Sequence, residues 1–173
     1  MYLFKKNVIT DIIESVDDWI IFGTIQPNQR LKYEDLIKIW FKLIRSIEKK
    51  SSSVWILKLE GDNRVKSRHI HFLISSDGLS THSVNYNLFR LKNKFSELKL
   101  DNYLLKQATI NFKPYDEEQK GKFYMSKIEL DVYFNPPNFF SYIDDGICVK
   151  WSSKLKHRYK NFNLTRAHYS KYL

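Results

Sequence analysis

Seven residues in the middle of the chain, His69-Ile-His-Phe-Leu-Ile-Ser75, constrain its fold more than any other stretch. Successive side chains of a strand alternate between faces, so His69 and His71 share one face while Ile70, Phe72 and Ile74 form the other. Such an apolar face has to be buried, and it is the one expected to meet the helices. Two imidazoles side by side on the opposite face can share one ion. The preceding stretch, Val54 to Glu60, has matching parity: Trp55, Leu57 and Leu59 are its apolar set, which leaves Lys58 and Glu60 on the other side. Joined by the polar Gly61-Asp-Asn-Arg-Val-Lys-Ser-Arg68, the two stretches read as an antiparallel hairpin with a long loop. Glu60's face then opposes that of His69 and His71, so a carboxylate can complete the site across the ladder.

The flanking segments supply the other elements. Trp19 to Gln26 is β-branched and aromatic and stops at Pro27, as a strand ending in a turn does. Tyr33 to Lys49 repeats apolar residues at helical spacing (Leu36, Trp40, Leu43, Ile47), with Glu34 and Asp35 in the first turn. Val84, Leu88, Leu91, Phe95 and Leu98 predict a second helix over Ser83 to Leu98. Gln107 to Lys113 alternates Ala108, Ile110 and Phe112 with polar residues, and Pro114 closes it. Glu117 to Leu130 is a third helical segment, with Asp116 placed as its N-cap and Gly121 weakening it by about 1 kcal/mol. The order β-α-β-β-α-β-α describes an α+β domain with an antiparallel sheet. Asn135-Pro-Pro-Asn138 marks the boundary between a domain over 1–134 and a basic, aromatic C-terminal extension over 135–173, packed on or appended to it.

Charge separates these two parts. The chain has 29 Lys and Arg against 19 Asp and Glu, for a net charge of +10, which suggests a polyanionic partner. After Asp145 there is no acidic residue, and the seven Lys and Arg beyond it carry most of the excess. A single cysteine, Cys148, excludes an intrachain disulfide and a multi-cysteine zinc cluster and favours a reducing, cytoplasmic setting. No uncharged run approaches the roughly 18 residues of a membrane span, and the N-terminus lacks a signal-peptide pattern. No membrane partner is expected.

Two histidines and a carboxylate with open positions suit Mn²⁺ or Mg²⁺ acting on a phosphate, although imidazole also binds Zn²⁺ well. Tyr124 and Lys127, three apart, fall on one helical face. A phenol, with a reference pKa near 10, needs help to lose its proton before it attacks a phosphodiester, and a cation steadies the resulting charge. Taken alone, Y-x-x-K is an ordinary surface pair in a chain with 11 tyrosines.

Together these elements resemble the rolling-circle replication initiator (Rep) branch of the HUH endonuclease superfamily. Trp19 to Pro27 stands in the place of the family's first motif. Glu60 with His69-Ile70-His71 is similar to the metal-binding second motif, and Tyr124-Met125-Ser126-Lys127 to the third; the resemblance spans roughly residues 19 to 130. It implies a five-stranded antiparallel sheet flanked by helices, the fifth strand coming from Met1 to Val8 or Ile128 to Phe134. It also implies that Glu60, His69 and His71 hold a divalent cation, that Tyr124 attacks the scissile phosphate to give a 5′-phosphotyrosine and a free 3′-hydroxyl, and that Lys127 positions the phosphate. The implied substrate is single-stranded or hairpin origin DNA of a plasmid or virus in a prokaryotic host. With no helicase segment following, unwinding falls to a separate helicase, and with one tyrosine in the motif a second cleavage needs a second turnover or a second subunit in a dimer.

Arg64, Lys66 and Arg68 in the hairpin loop, Lys120 and Lys122 beside the tyrosine, and Lys154, Lys156 and Arg158 in the extension are the candidate DNA contacts. The extension interleaves its cations with Trp151, Tyr159, Phe162, His168, Tyr169 and Tyr172, which suits phosphate contact plus base stacking, and equally suits aromatics packed on the domain with the cations left to water. Two other readings stand beside this one: a single-tyrosine HUH transposase, and a nucleic-acid-binding module that kept the fold without catalysis.

Overall fold

The computed structural model describes residues 12–27, 31–50, 52–60, 69–118, 142–144 and 147–155. Four strands, β1 (Trp19–Gln26), β2 (Trp55–Glu60), β3 (His69–Ser75) and β4 (Thr109–Pro114), alternate with two helices, α1 (Tyr33–Arg45) and α2 (Val84–Asp101), in the order β-α-β-β-α-β. β3 pairs antiparallel with both β1 and β2, and β1 pairs antiparallel with β4. β1 and β2 are thus parallel to each other with β3 inserted between them, the split βαβ arrangement.

The expected five-strand count gives way to six among the described residues. Beyond β2 the sheet continues with β6 (Ile147–Trp151) and then β5 (Tyr142–Asp144), giving the order β4-β1-β3-β2-β6-β5 with every neighbouring pair antiparallel. The added strands come from the segment assigned to the extension. Between them in the sequence stands Asp145-Gly146, a dipeptide favoured in two-residue hairpin turns. Ser152 seals the junction, its N–H donating to Trp55 O at 3.0 Å and its Oγ accepting from Trp55 N at 3.2 Å.

Helix boundaries follow local hydrogen bonding. Ser83 caps α2, its Oγ accepting from Tyr86 N, and Asn102 ends it by turning its side chain to Leu104 N in the next 3-10 turn. α1 stops at Arg45, four residues short of its predicted end. Ser46 and Ile47 tighten to three-residue bonds, after which Lys49 N donates to Gly78 O and Ser80 N to Ile47 O, tying the chain to the turn after β3. β4 starts two residues late because Ala108 N is still bonded to Leu105 O. The Asp116 carboxylate accepts from Glu118 N at 2.9 Å, as an N-cap does, but the remainder of the third predicted helix lies outside the described residues.

The core lies between the helices and one sheet face. Trp40 of α1, fully buried, meets Trp55 edge-on at 5.4 Å between ring centroids and Phe72 at 4.6 Å. Phe72 contacts Phe112 of β4 at 5.3 Å, and Phe112 contacts Phe95 of α2 at 6.2 Å. This aromatic chain joins both helices to three strands, with each pair adding about 0.5–1.5 kcal/mol beyond its area. Gly23, paired with Phe72 across β1 and β3, makes it possible: a Cβ there would lie 2.1 Å from the Phe72 ring. Gly23→Ala is expected to destabilise the fold by about 1–3 kcal/mol through overpacking. Urea unfolding measures this, and adding Phe72→Leu to the alanine variant should restore part of the loss.

Candidate functional site

With Phe72 committed to the core, pleating turns its neighbours to the other face. Their environment is set by the flanking strands: Thr24 of β1 stands opposite His71 on one side, Lys58 of β2 opposite it on the other, and Glu60 opposite His69. The face that carries the histidines therefore also carries Thr24, Lys58 and the Glu60 position, as the sequence parity predicts for β2 and β3.

The two imidazoles lie edge to face, 4.8 Å between centroids at an interplanar angle of 85°. Two imidazoles joined to one ion by bonds of about 2.1 Å at ~100° would have centroids about 5 Å apart, so this spacing fits shared ligation. His71 is 5% exposed and His69 is half-buried. Thr24 Oγ1 lies 2.9 Å from His71 Nδ1. When Nδ1 carries the proton and donates it to this hydroxyl, the ring is held in the tautomer whose lone pair is on Nε2, as an outer partner does around a metal-binding histidine. The Phe22 ring lies parallel to His71 at 6.3 Å, and Lys113 Nζ sits 5.7 Å from the Phe22 centroid.

Lys58, 1% exposed, is a charged group on this face. An ammonium taken from water is held by hydrogen bonds or opposite charge. Glu60 stands two residues along the same strand, in backbone register opposite His69. Among the described residues no three His, Cys, Asp or Glu side chains gather as a metal cluster; the histidine pair is the donor set the structure brings together.

Tyr124 and Lys127 lie outside the described residues, as do Arg64, Lys66, Arg68, Lys120, Lys122, Lys156 and Arg158. Lys154 is described, and its Nζ is 2.6 Å from Asp77 Oδ1, an ion pair tying the segment after β6 to the turn after β3. Among the described residues no helix is long and apolar enough to cross a membrane.

Thr24 and Phe22 were missed as site residues from the sequence. The usable signal was alternation in β1: with Ile21, Gly23 and Ile25 facing the core, Phe22 and Thr24 fall on the histidine side. The chain matches no family model, no curated protein and no solved structure.

Thr24→Val keeps the side chain's shape and removes the bond to His71. If the histidine pair holds a divalent ion, this change is expected to weaken Mn²⁺ binding about 10–100-fold while leaving the urea midpoint nearly unchanged, with isothermal titration of the metal as the measurement.

Proposed function

We propose that the protein is a metal-dependent enzyme that nicks and rejoins single-stranded DNA through a tyrosine, acting as a rolling-circle replication initiator of the HUH type. The observation that carries this reading is the pair of imidazoles on one face of β3, 4.8 Å apart, with Glu60 in register opposite His69. The α+β architecture with its antiparallel sheet supports it in general class.

In this reading His69, His71 and Glu60 would hold Mn²⁺ or Mg²⁺, with Thr24 fixing the His71 ring through Nδ1. When bound, the ion would supply a Lewis acid to polarise the scissile phosphate and offset its charge. Tyr124, having lost its phenolic proton, forms a phosphorus–oxygen bond through its oxygen. The bond to the 3′-oxygen breaks, and that oxygen leaves as a hydroxyl after taking a proton. Lys127 positions the phosphate. Because one phosphodiester is exchanged for another, the same groups run the reaction in reverse and rejoin strands. The substrate is a single strand or the exposed strand of an origin hairpin, opened by a separate helicase.

Phe22 with Lys113 over its ring, on the histidine face, favours a second reading: a module that binds single strands by stacking and charge, without cleavage. One experiment separates the two. The protein is incubated with a library of single-stranded oligonucleotides and Mn²⁺, and adducts that survive denaturant are counted. The nicking reading expects adducts from the parent chain, loss of all of them in Tyr124→Phe, and DNA affinity within about three-fold of the parent in that variant, since a hydroxyl contributes little to backbone contacts. Binding by the parent without any adduct selects the module, and adducts that persist in Tyr124→Phe remove Tyr124 as nucleophile. His69→Ala should cut adduct yield by at least about 100-fold by depriving the ion of a ligand.

A further inference from the structure

The helical layer carries a feature that the histidine face does not use. Where the last turn of α1 passes the middle of α2, the two helices leave a groove of about 510 Å³ lined by Lys42, Arg45, Arg90, Asn93, Lys94 and Glu97. Both helices cover the core face of the sheet, so this groove and the histidines lie on opposite sides of it.

Four of these side chains are cations and one is a carboxylate. Glu97 pairs with Lys94 at 2.7 Å, and Arg90 reaches Ser80 Oγ at 3.4 Å, while Lys42 and Arg45 make no ion pair among the described residues. Complementing the C-terminal end of the α1 dipole accounts for a cation or two in its last turn. It does not account for Arg90 and Lys94, which come from the middle of another helix and face the same groove. Like charges gathered in this way repel, and an anion spanning both helices relieves that repulsion.

Aromatic side chains narrow the class of anion. One helical turn before Arg90 stands Tyr86 and one turn before Asn93 stands Phe89, so each is a surface neighbour of a groove residue, whereas Phe41, one turn before Arg45, packs edge-on against Trp55 at 5.9 Å. The Tyr86 and Phe89 rings are 52% and 59% exposed, among the few large apolar side chains left in solvent. Cations with flat, exposed rings beside them match a polymer that alternates phosphates with bases. An acidic peptide would use the cations alone.

We propose that the groove between α1 and α2 is a second nucleic-acid site, which takes the phosphates of a single strand on Lys42, Arg45, Arg90 and Lys94 and its bases on Tyr86 and Phe89. A strand held there is on the side of the sheet away from the histidines. The site is independent of metal and of the proposed nicking chemistry.

The test is fluorescence anisotropy with a labelled oligothymidylate of about 16 nucleotides in EDTA, using the full chain. Arg45→Gln/Arg90→Gln is expected to bind about ten-fold more weakly, with a salt slope smaller by about 1.4 for the two lost contacts. Phe89→Ala should bind about five-fold more weakly with an unchanged slope, as loss of stacking predicts. All substituted side chains reach the surface, and matching thermal unfolding curves confirm that the variants fold. If the double variant binds within about three-fold of the parent with the same slope, the proposal is overturned. It is also overturned if polyglutamate competes as well as the oligonucleotide and Phe89→Ala has no effect, since that identifies an acidic protein as the ligand. Because EDTA removes the metal, adduct formation and groove binding fail or succeed separately.

Discussion

The fit of one benzyl ring over one glycine organises this protein. Phe72 occupies the space a side chain at position 23 would need, and from there it touches Trp40 and Phe112. Shifting β3 by one residue would bury an imidazole among indole and phenyl rings and turn Phe72 to the face that holds His71. That penalty specifies the register. Placement of His69 and His71 is therefore a by-product of core packing, and the site inherits its rigidity from the aromatic chain behind it.

The same logic explains which parts of the molecule could be read from residues alone. Period-two and helical patterns located β1 to β4 and both helices, because each of these elements buries one face against a common core. Parity also put Lys58 and Glu60 beside the histidines, in agreement with the register. Less legible was whatever depended on a distant partner. The end of α1 is set by bonds to residues 78–80, more than thirty positions later, and no local signal announces them. β5 and β6 are three and five residues long, too short for a period to emerge, and the dense positive charge after Asp145 gave that segment the look of an appended tail. Thr24 was overlooked because a threonine in a β-branched strand looks like mere strand propensity until the neighbour across the ladder is known.

The sheet also divides the molecule chemically. On one side, a patch gathers two imidazoles, a hydroxyl and an ammonium, with His71 and Lys58 nearly out of water, where charge is costly. Across it, the helices present an open groove with long, solvated cations and exposed rings. In the proposed reading the first environment serves selective chemistry on one phosphate. The second suits sequence-tolerant holding of many.

The pairing of β2 with β6 carries a consequence for how the chain can be assembled in time. Ile56 meets Trp151 across that ladder, almost a hundred residues away, so the outer edge of β2 waits for the last strands to arrive. Until then its amide and carbonyl groups face outward beside the histidine strand, a template to which any extended peptide can add. Synthesis through the Asn-Pro-Pro-Asn stretch yields a helix-backed sheet that is still open at one border, and the closing hairpin shields that border from association with other chains.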